Sequence, residues 1–174
     1  IVFASGKDRA VAGAQLHANF SLNAEGDYLA LVRPDAATIA SEFGPAFPEQ
    51  FADISYGQYQ GTDYYFTKPT PGAANGGAGF IAAVADTKFS KDRGFYDTPF
   101  DLTIRTATPD AVIRYTTNVI PPTASSGMVY ASPFRIDGTT TVRAAAFKTG
   151  WLPSNVDTQT FIFLDDVIRQ APTG

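Results

Sequence analysis

The chain has 174 residues, 44% of them hydrophobic and 17% charged, which is enough apolar material for one large or two small packed domains. Its net charge of −4 comes from the first half, where residues 1–75 hold 4 Lys/Arg against 8 Asp/Glu, and no basic patch recommends a nucleic acid as partner. No apolar run approaches the roughly 20 residues of a membrane-spanning helix, the lack of cysteine excludes disulfides, thiolate metal sites and cysteine nucleophiles, and 15 Gly with 12 Pro leave few helix formers.

Ile1–Ala4 reads as the end of a buried strand whose beginning lies upstream, since it carries no Met and no signal-like segment. A polar turn follows at 5–9. His17–Leu22 and Tyr28–Val32 are apolar segments joined by Asn23–Asp27, a connection of hairpin length with Gly26 near its centre. Thr38–Phe43 is a further strand, and Gly44–Pro48 is punctuated against regular structure. Phe51–Tyr56 alternates, Gln58–Phe66 is Tyr-rich and loop-like, and residues 76–87 read as a Gly/Ala-rich linker. Beyond it, Phe100, Leu102 and Ile104 alternate with Asp101, Thr103 and Arg105, the period-2 pattern of a strand with one wet face. Ala111–Thr116, Val129–Tyr130, Phe134–Ile136, Thr141–Phe147 and Thr158–Leu164 follow at short spacing between turn signals, which indicates a sandwich. Asp165–Gln170 is the one stretch with a helical turn, inside an exit linker at 165–174.

Two resemblances organise these elements. The run from Lys88 to Leu164 resembles the immunoglobulin-like domain at the C-terminus of chitobiases and β-hexosaminidases, through Arg93-Gly94-Phe95-Tyr96, Pro99-Phe100, Ile113-Arg114-Tyr115-Thr116-Thr117, Pro133-Phe134, Thr139–Ala146, Gly150 and Thr158–Phe163. Where such domains carry Asp-Gly-Ser after Tyr-Thr-Thr, this chain has Asn118-Val119-Ile120, so that loop has lost a polar, ion-contacting character. Residues 1–75 resemble the C-terminal part of a lamin-tail domain, through His17–Leu22, Gly26–Leu31, Ala52-Asp53-Ile54 and Thr70–Asn75. The resemblances imply an all-β chain of two immunoglobulin-like β-sandwich modules in tandem, the first N-terminally incomplete, in an extracellular or cell-surface protein of planctomycete-like type. They also imply a non-catalytic structural, adhesive or carbohydrate-contacting role. The alternative is an accessory, substrate-positioning or regulatory region of a glycoside hydrolase or a spore-coat kinase-like enzyme.

The chemistry-bearing residues are sparse. His17 is the only histidine, so multi-histidine metal centres are excluded, and its apolar surroundings read as structural. Asp92, Asp97, Asp110, Asp137 and Asp157 read as solvated turn formers rather than a facing pair of glycosidase carboxylates. No cofactor is expected. Calcium is the metal that loop carboxylates would suit, yet no Asp-x-Asp-x-Asp-Gly run exists, and Asp165-Asp166 reads as linker. The ligand-contacting candidates are the flat amphipathic rings Tyr59, Tyr64, Tyr65 and Trp151. The partners they suggest are polysaccharide or neighbouring protein domains. An open sheet edge at Ile1–Ala4 also suggests self-association.

Overall fold

A computed structural model describes residues 1–77 and 79–168, and the chain divides after Gly79 into two compact units. It is all-β, as expected from the Gly- and Pro-rich composition, with one short helix, α1 (Leu164–Ile168), among the described residues.

The first unit carries, among the described residues, β1 (Val2–Ala4), β2 (Leu16–Ala18), β3 (Leu29–Val32), β4 (Ile39–Phe43), β5 (Ser55–Tyr59) and β6 (Thr62–Phe66), paired as β1–β2, β3–β4 and β5–β6, with single antiparallel bridges Arg9↔His17 and Ser5↔Ser21. Three expectations are corrected here. Ile1–Ala4 is not a buried strand: β1 pairs in parallel with β2, and Ile1, Val2 and Phe3 are exposed. The segments around Asn23–Asp27 do not form a hairpin, because β2 pairs backward to β1 and β3 forward to β4. The hairpins are β3–β4, across residues 33–38, and the Tyr-rich stretch. β5 and β6 pair from Ser55↔Phe66 to Tyr59↔Thr62 across the two-residue turn Gln60-Gly61, whose φ values of 50° and 78° are those of a type I′ turn. Gly57 faces Tyr64 in this hairpin and lies against the Asn75 amide, which donates to the Gln58 carbonyl at 2.9 Å. A side chain at 57 would displace that bond. The buried residues of the unit are few, chiefly Phe47, Tyr65 and Phe66.

The second unit is a sandwich. One layer is a five-stranded sheet in the order β12 (Met128–Val129), β11 (Val112–Thr116), β14 (Thr140–Phe147), β15 (Asp157–Phe163), β8 (Gly94–Tyr96). The other is formed by two ladders, β9 (Phe100–Leu102) with β13 (Phe134–Ile136) and β10 (Ile104–Arg105) with β7 (Lys88–Phe89). The alternation read across 100–105 is real, but the run changes partner at Thr103, from β13 to β7. Between the layers Leu102, Ile104, Ile113, Ile136, Val142, Ala144, Ala146, Phe161 and Phe163 form one buried cluster. The alanines on the inner face of β14 leave room for the rings of Phe100, Phe161 and Tyr96, which meet at 4.6–5.7 Å. Each fully buried large side chain contributes about 1.5–3 kcal/mol. Both edges of the large sheet are strands of two or three residues, too short to template pairing with another chain.

The stretch 76–87 is not linker throughout. Ile81 and Val84 donate to the Gly150 and Leu152 carbonyls, Leu152 donates back to Ala82, and Val84 enters the core. Thr87 is buried and donates to Asp157 at 2.5 Å, so Asp157 is a strand residue with a partner rather than a solvated turn former. The helical turn expected at Asp165–Gln170 begins one residue earlier, as α1. Its last two positions, 169 and 170, lie outside the described residues.

Candidate functional site

The register of the β5–β6 hairpin divides the tyrosines selected from sequence. Tyr59 and Tyr64 share one face, and Tyr64 meets Phe66 edge-on at 6.0 Å. Tyr65 lies on the other face with Tyr56, at 5.0 Å between rings. Tyr65 is 2% exposed and donates its hydroxyl to the Glu49 carbonyl at 2.7 Å. Its role as a ligand contact is therefore corrected: it is a tethered core residue, and burial pushes its phenol up to about 12. Tyr59 and Tyr64 are half-buried.

His17 stacks on Phe3 at 5.2 Å. Arg9 donates to its Nε2 at 3.0 Å, so Nδ1 carries the proton and donates to Ser5 Oγ at 2.8 Å. Desolvation, with the charges of Arg9 and Lys7, lowers its pKa below the ordinary imidazole value. Both ring nitrogens are engaged and no carboxylate supports them, which is the arrangement of a structural histidine.

An acidic recess of about 280 Å³ is lined by Asp97, Asp137, Asp165 and Asp166 beside Tyr96 and Phe163. Asp166 accepts from the Thr139 N–H at 2.6 Å and so fixes the Asp137-Gly138 turn. Among the described residues no three carboxylates or histidines are gathered closely enough to hold a metal ion.

Trp151 is the remaining candidate, and it stands in a built environment. β14 ends at Phe147, and the chain turns through Lys148–Trp151 with Gly150 at φ 77° and the Trp151 N–H on the Lys148 carbonyl at 3.0 Å. The ladder of Ala82 and Val84 with Leu152 holds the loop from one side. From the other, Ser154 donates its N–H to the Ala146 carbonyl at 3.1 Å and accepts the Ala146 N–H on its hydroxyl at 2.9 Å. The half-buried Trp151 ring packs against the core cluster, with Lys148 Nζ 4.6 Å from its centroid. On the outer face of β11, Val112 stands opposite Phe147 and Arg114 opposite Ala145. Val112, Arg114, Phe147, Lys148 and Trp151, with Phe80, line a groove of about 430 Å³ whose charged lining groups among the described residues are Arg114 and Lys148. Sequence reasoning selected Trp151 but neither cation. Period-2 alternation places Arg114 outward beside Val112, but only the β11–β14 register brings Lys148 to the same groove.

Residues 91–158 match the chitobiase/beta-hexosaminidase C-terminal domain. The match runs from just before β8 to the start of β15, so β8 to β14, Arg114, Lys148 and Trp151 lie inside it, while β7, the rest of β15 and the first unit lie outside. This domain is a non-catalytic accessory module of glycoside hydrolases. No curated protein and no solved structure is a match for the chain.

Proposed function

We propose that the chain is a non-catalytic accessory region of a larger extracellular protein, in which the second unit contacts carbohydrate or spaces and displays neighbouring domains. The reading is supported by the match of residues 91–158 to an accessory module, on a sandwich that closes its own core. The Trp151 groove is its candidate contact, since an aromatic wall suits the C–H face of a sugar ring. The lamin-tail-like character of residues 1–75 and the cell-surface setting belong to the same proposal and rest on the residue patterns described above. Titration of the chain with chitin oligomers and cell-wall glycans, followed by calorimetry, tests the sugar contact. Flat titrations would remove it and leave the architectural role.

The enzyme-accessory alternative differs in what adjoins the chain. A glycoside hydrolase or kinase-like domain encoded in the same reading frame, with hydrolysis or phosphotransfer lost on deleting residues 80–174, would favour it. A self-association reading is favoured by one observation in the first unit: among the described residues β1 has a strand partner on one edge only, and its side chains Val2 and Ala4 join Phe20, Leu22, Leu31 and Phe43 in an apolar groove of about 390 Å³. A second copy of the chain is the occupant this reading names. Light scattering that shows a strict monomer at high concentration would count against it.

A further inference from the structure

The Trp151 groove combines apolar walls with two cations that no carboxylate of its lining neutralises. Arg114 Nη1 donates to the Gly127 carbonyl at 3.0 Å, and Lys148 Nζ donates to the Pro109 carbonyl at 2.9 Å. Both acceptors are neutral. The ion pair between Asp101 and Arg135 lies elsewhere on the unit, on the β9–β13 ladder. A guanidinium has five N–H donors and an ammonium three, so each cation is positioned by one backbone bond and keeps donors to spare. Asp110, four positions before Arg114 and next to Pro109, forms no ion pair with either cation among the described residues, while Asp157 accepts from Thr87 and Asp86 accepts from Asn155 at 3.2 Å.

Two positioned cations beside Val112, Phe147 and Trp151 complement a ligand that is apolar on one face and anionic at its edge. A neutral sugar uses the walls and leaves both charges unanswered. A hexuronate ring presents C–H groups to the walls and an equatorial carboxylate to a cation, in the bidentate geometry that a guanidinium favours where that cation is Arg114. We propose that the groove binds carboxylated saccharide, that is, uronate units of an acidic polysaccharide, with Arg114 and Lys148 as separate carboxylate contacts and Trp151 as the wall. This rests on the carbohydrate-contacting reading above and names the ligand class of that site.

The chain's single tryptophan makes the site its own reporter. Trp151 fluorescence and calorimetry would follow titrations with galacturonate oligomers and, in parallel, with chitin oligomers. Galacturonate oligomers are expected to bind about tenfold or more tightly than the neutral ones, and to weaken as salt rises from 0.05 to 0.5 M. The double variant Arg114→Gln/Lys148→Gln should lose that preference, while Arg114→Lys, which keeps the charge but not the bidentate fork, should retain only part of it. The Trp151 unfolding transition checks that the variants fold, and single Lys148→Gln serves if the double variant does not. Equal binding of neutral and acidic oligomers, or binding unchanged by the substitutions, overturns this inference and leaves the carbohydrate reading intact. Binding of neither overturns both.

Discussion

Replacing Ser154 with alanine removes one oxygen and exposes how the Trp151 loop is held. The β14–β15 ladder ends at Ala144↔Asp157, two residues before Ala146. At Ala146 the role of the neighbouring strand passes to Ser154, which accepts the Ala146 N–H on its side chain and donates its own N–H to the Ala146 carbonyl. Ala146 is fully buried, so in Ser154→Ala its N–H loses its partner where water cannot replace it. Leaving a buried donor unmade costs about 1–3 kcal/mol. For a unit of roughly 95 residues, 80–174, each kcal/mol lowers Tm by about 4–8 °C, so a fall of about 6–12 °C is expected for a loss near 1.5 kcal/mol. Trp151 fluorescence reports the transition of this unit alone, because the first unit has no tryptophan. The Ala146 amide should also exchange faster, while Ser154→Thr, which keeps the hydroxyl, and Asn155→Ala, an exposed site, should shift Tm little. A Tm for Ser154→Ala within about 2 °C of the parent, with Ala146 exchange unchanged, would refute the reasoning.

Leu102→Ala empties a position of 0% exposure between the two layers and is expected to cost about 2–5 kcal/mol, read as the loss of denaturant stability followed by Trp151. In a spectrophotometric titration Tyr65 should ionise late, near 12. Its neutral form is favoured in the folded state, so its contribution to stability is present below the unfolded value near 10 and is lost as pH rises through 12. Tyr65→Phe should abolish that late step. By NMR, His17 should titrate below its ordinary value, and Arg9→Ala should move it upward. Because its folded pKa is depressed, its contribution is present above the unfolded value and lost as pH falls through the folded one.

The second unit was legible because its strands carry their burial in their spelling. Phe100, Leu102 and Ile104 alternate with polar residues, and the apolar β14 and β15 runs stand between Gly138, Gly150 and Asn155. The first unit was legible only in part: the strands read at Tyr28–Val32 and Thr38–Phe43 are β3 and β4, but their neighbours were not legible, for local reasons. The Asn23–Asp27 segment has hairpin composition, but long-range pairing sends its flanks to β1 and β4. The β5–β6 hairpin turns at Gln60-Gly61, and glutamine is not a residue whose presence announces positive φ. Residues 80–87 look like linker because Gly and Ala surround them. Their structure comes from main-chain bonds to the 150–152 loop, which composition does not encode.

The candidate site shows the same division on a smaller scale. Trp151 can be singled out by residue type, but Arg114 and Lys148 are 34 positions apart and are joined only by the pairing of β11 with β14. What the sandwich contributes is a frame whose core lies between two layers, with the Trp151 loop packed at its border. The buried cluster lies between the layers, while the groove lies on the outer face of the large sheet, at the end of β14. Substitutions at Val112, Arg114 or Lys148 therefore act on the groove without opening the core, whereas Ser154 sits where loop and sheet meet and links the two. A loop that can vary on a fixed scaffold is how one fold is adapted to different ligands. It follows that ligand preference in this unit should track the charges along the Arg114–Lys148 groove, and that its unfolding should track Leu102, Val142 and Phe161.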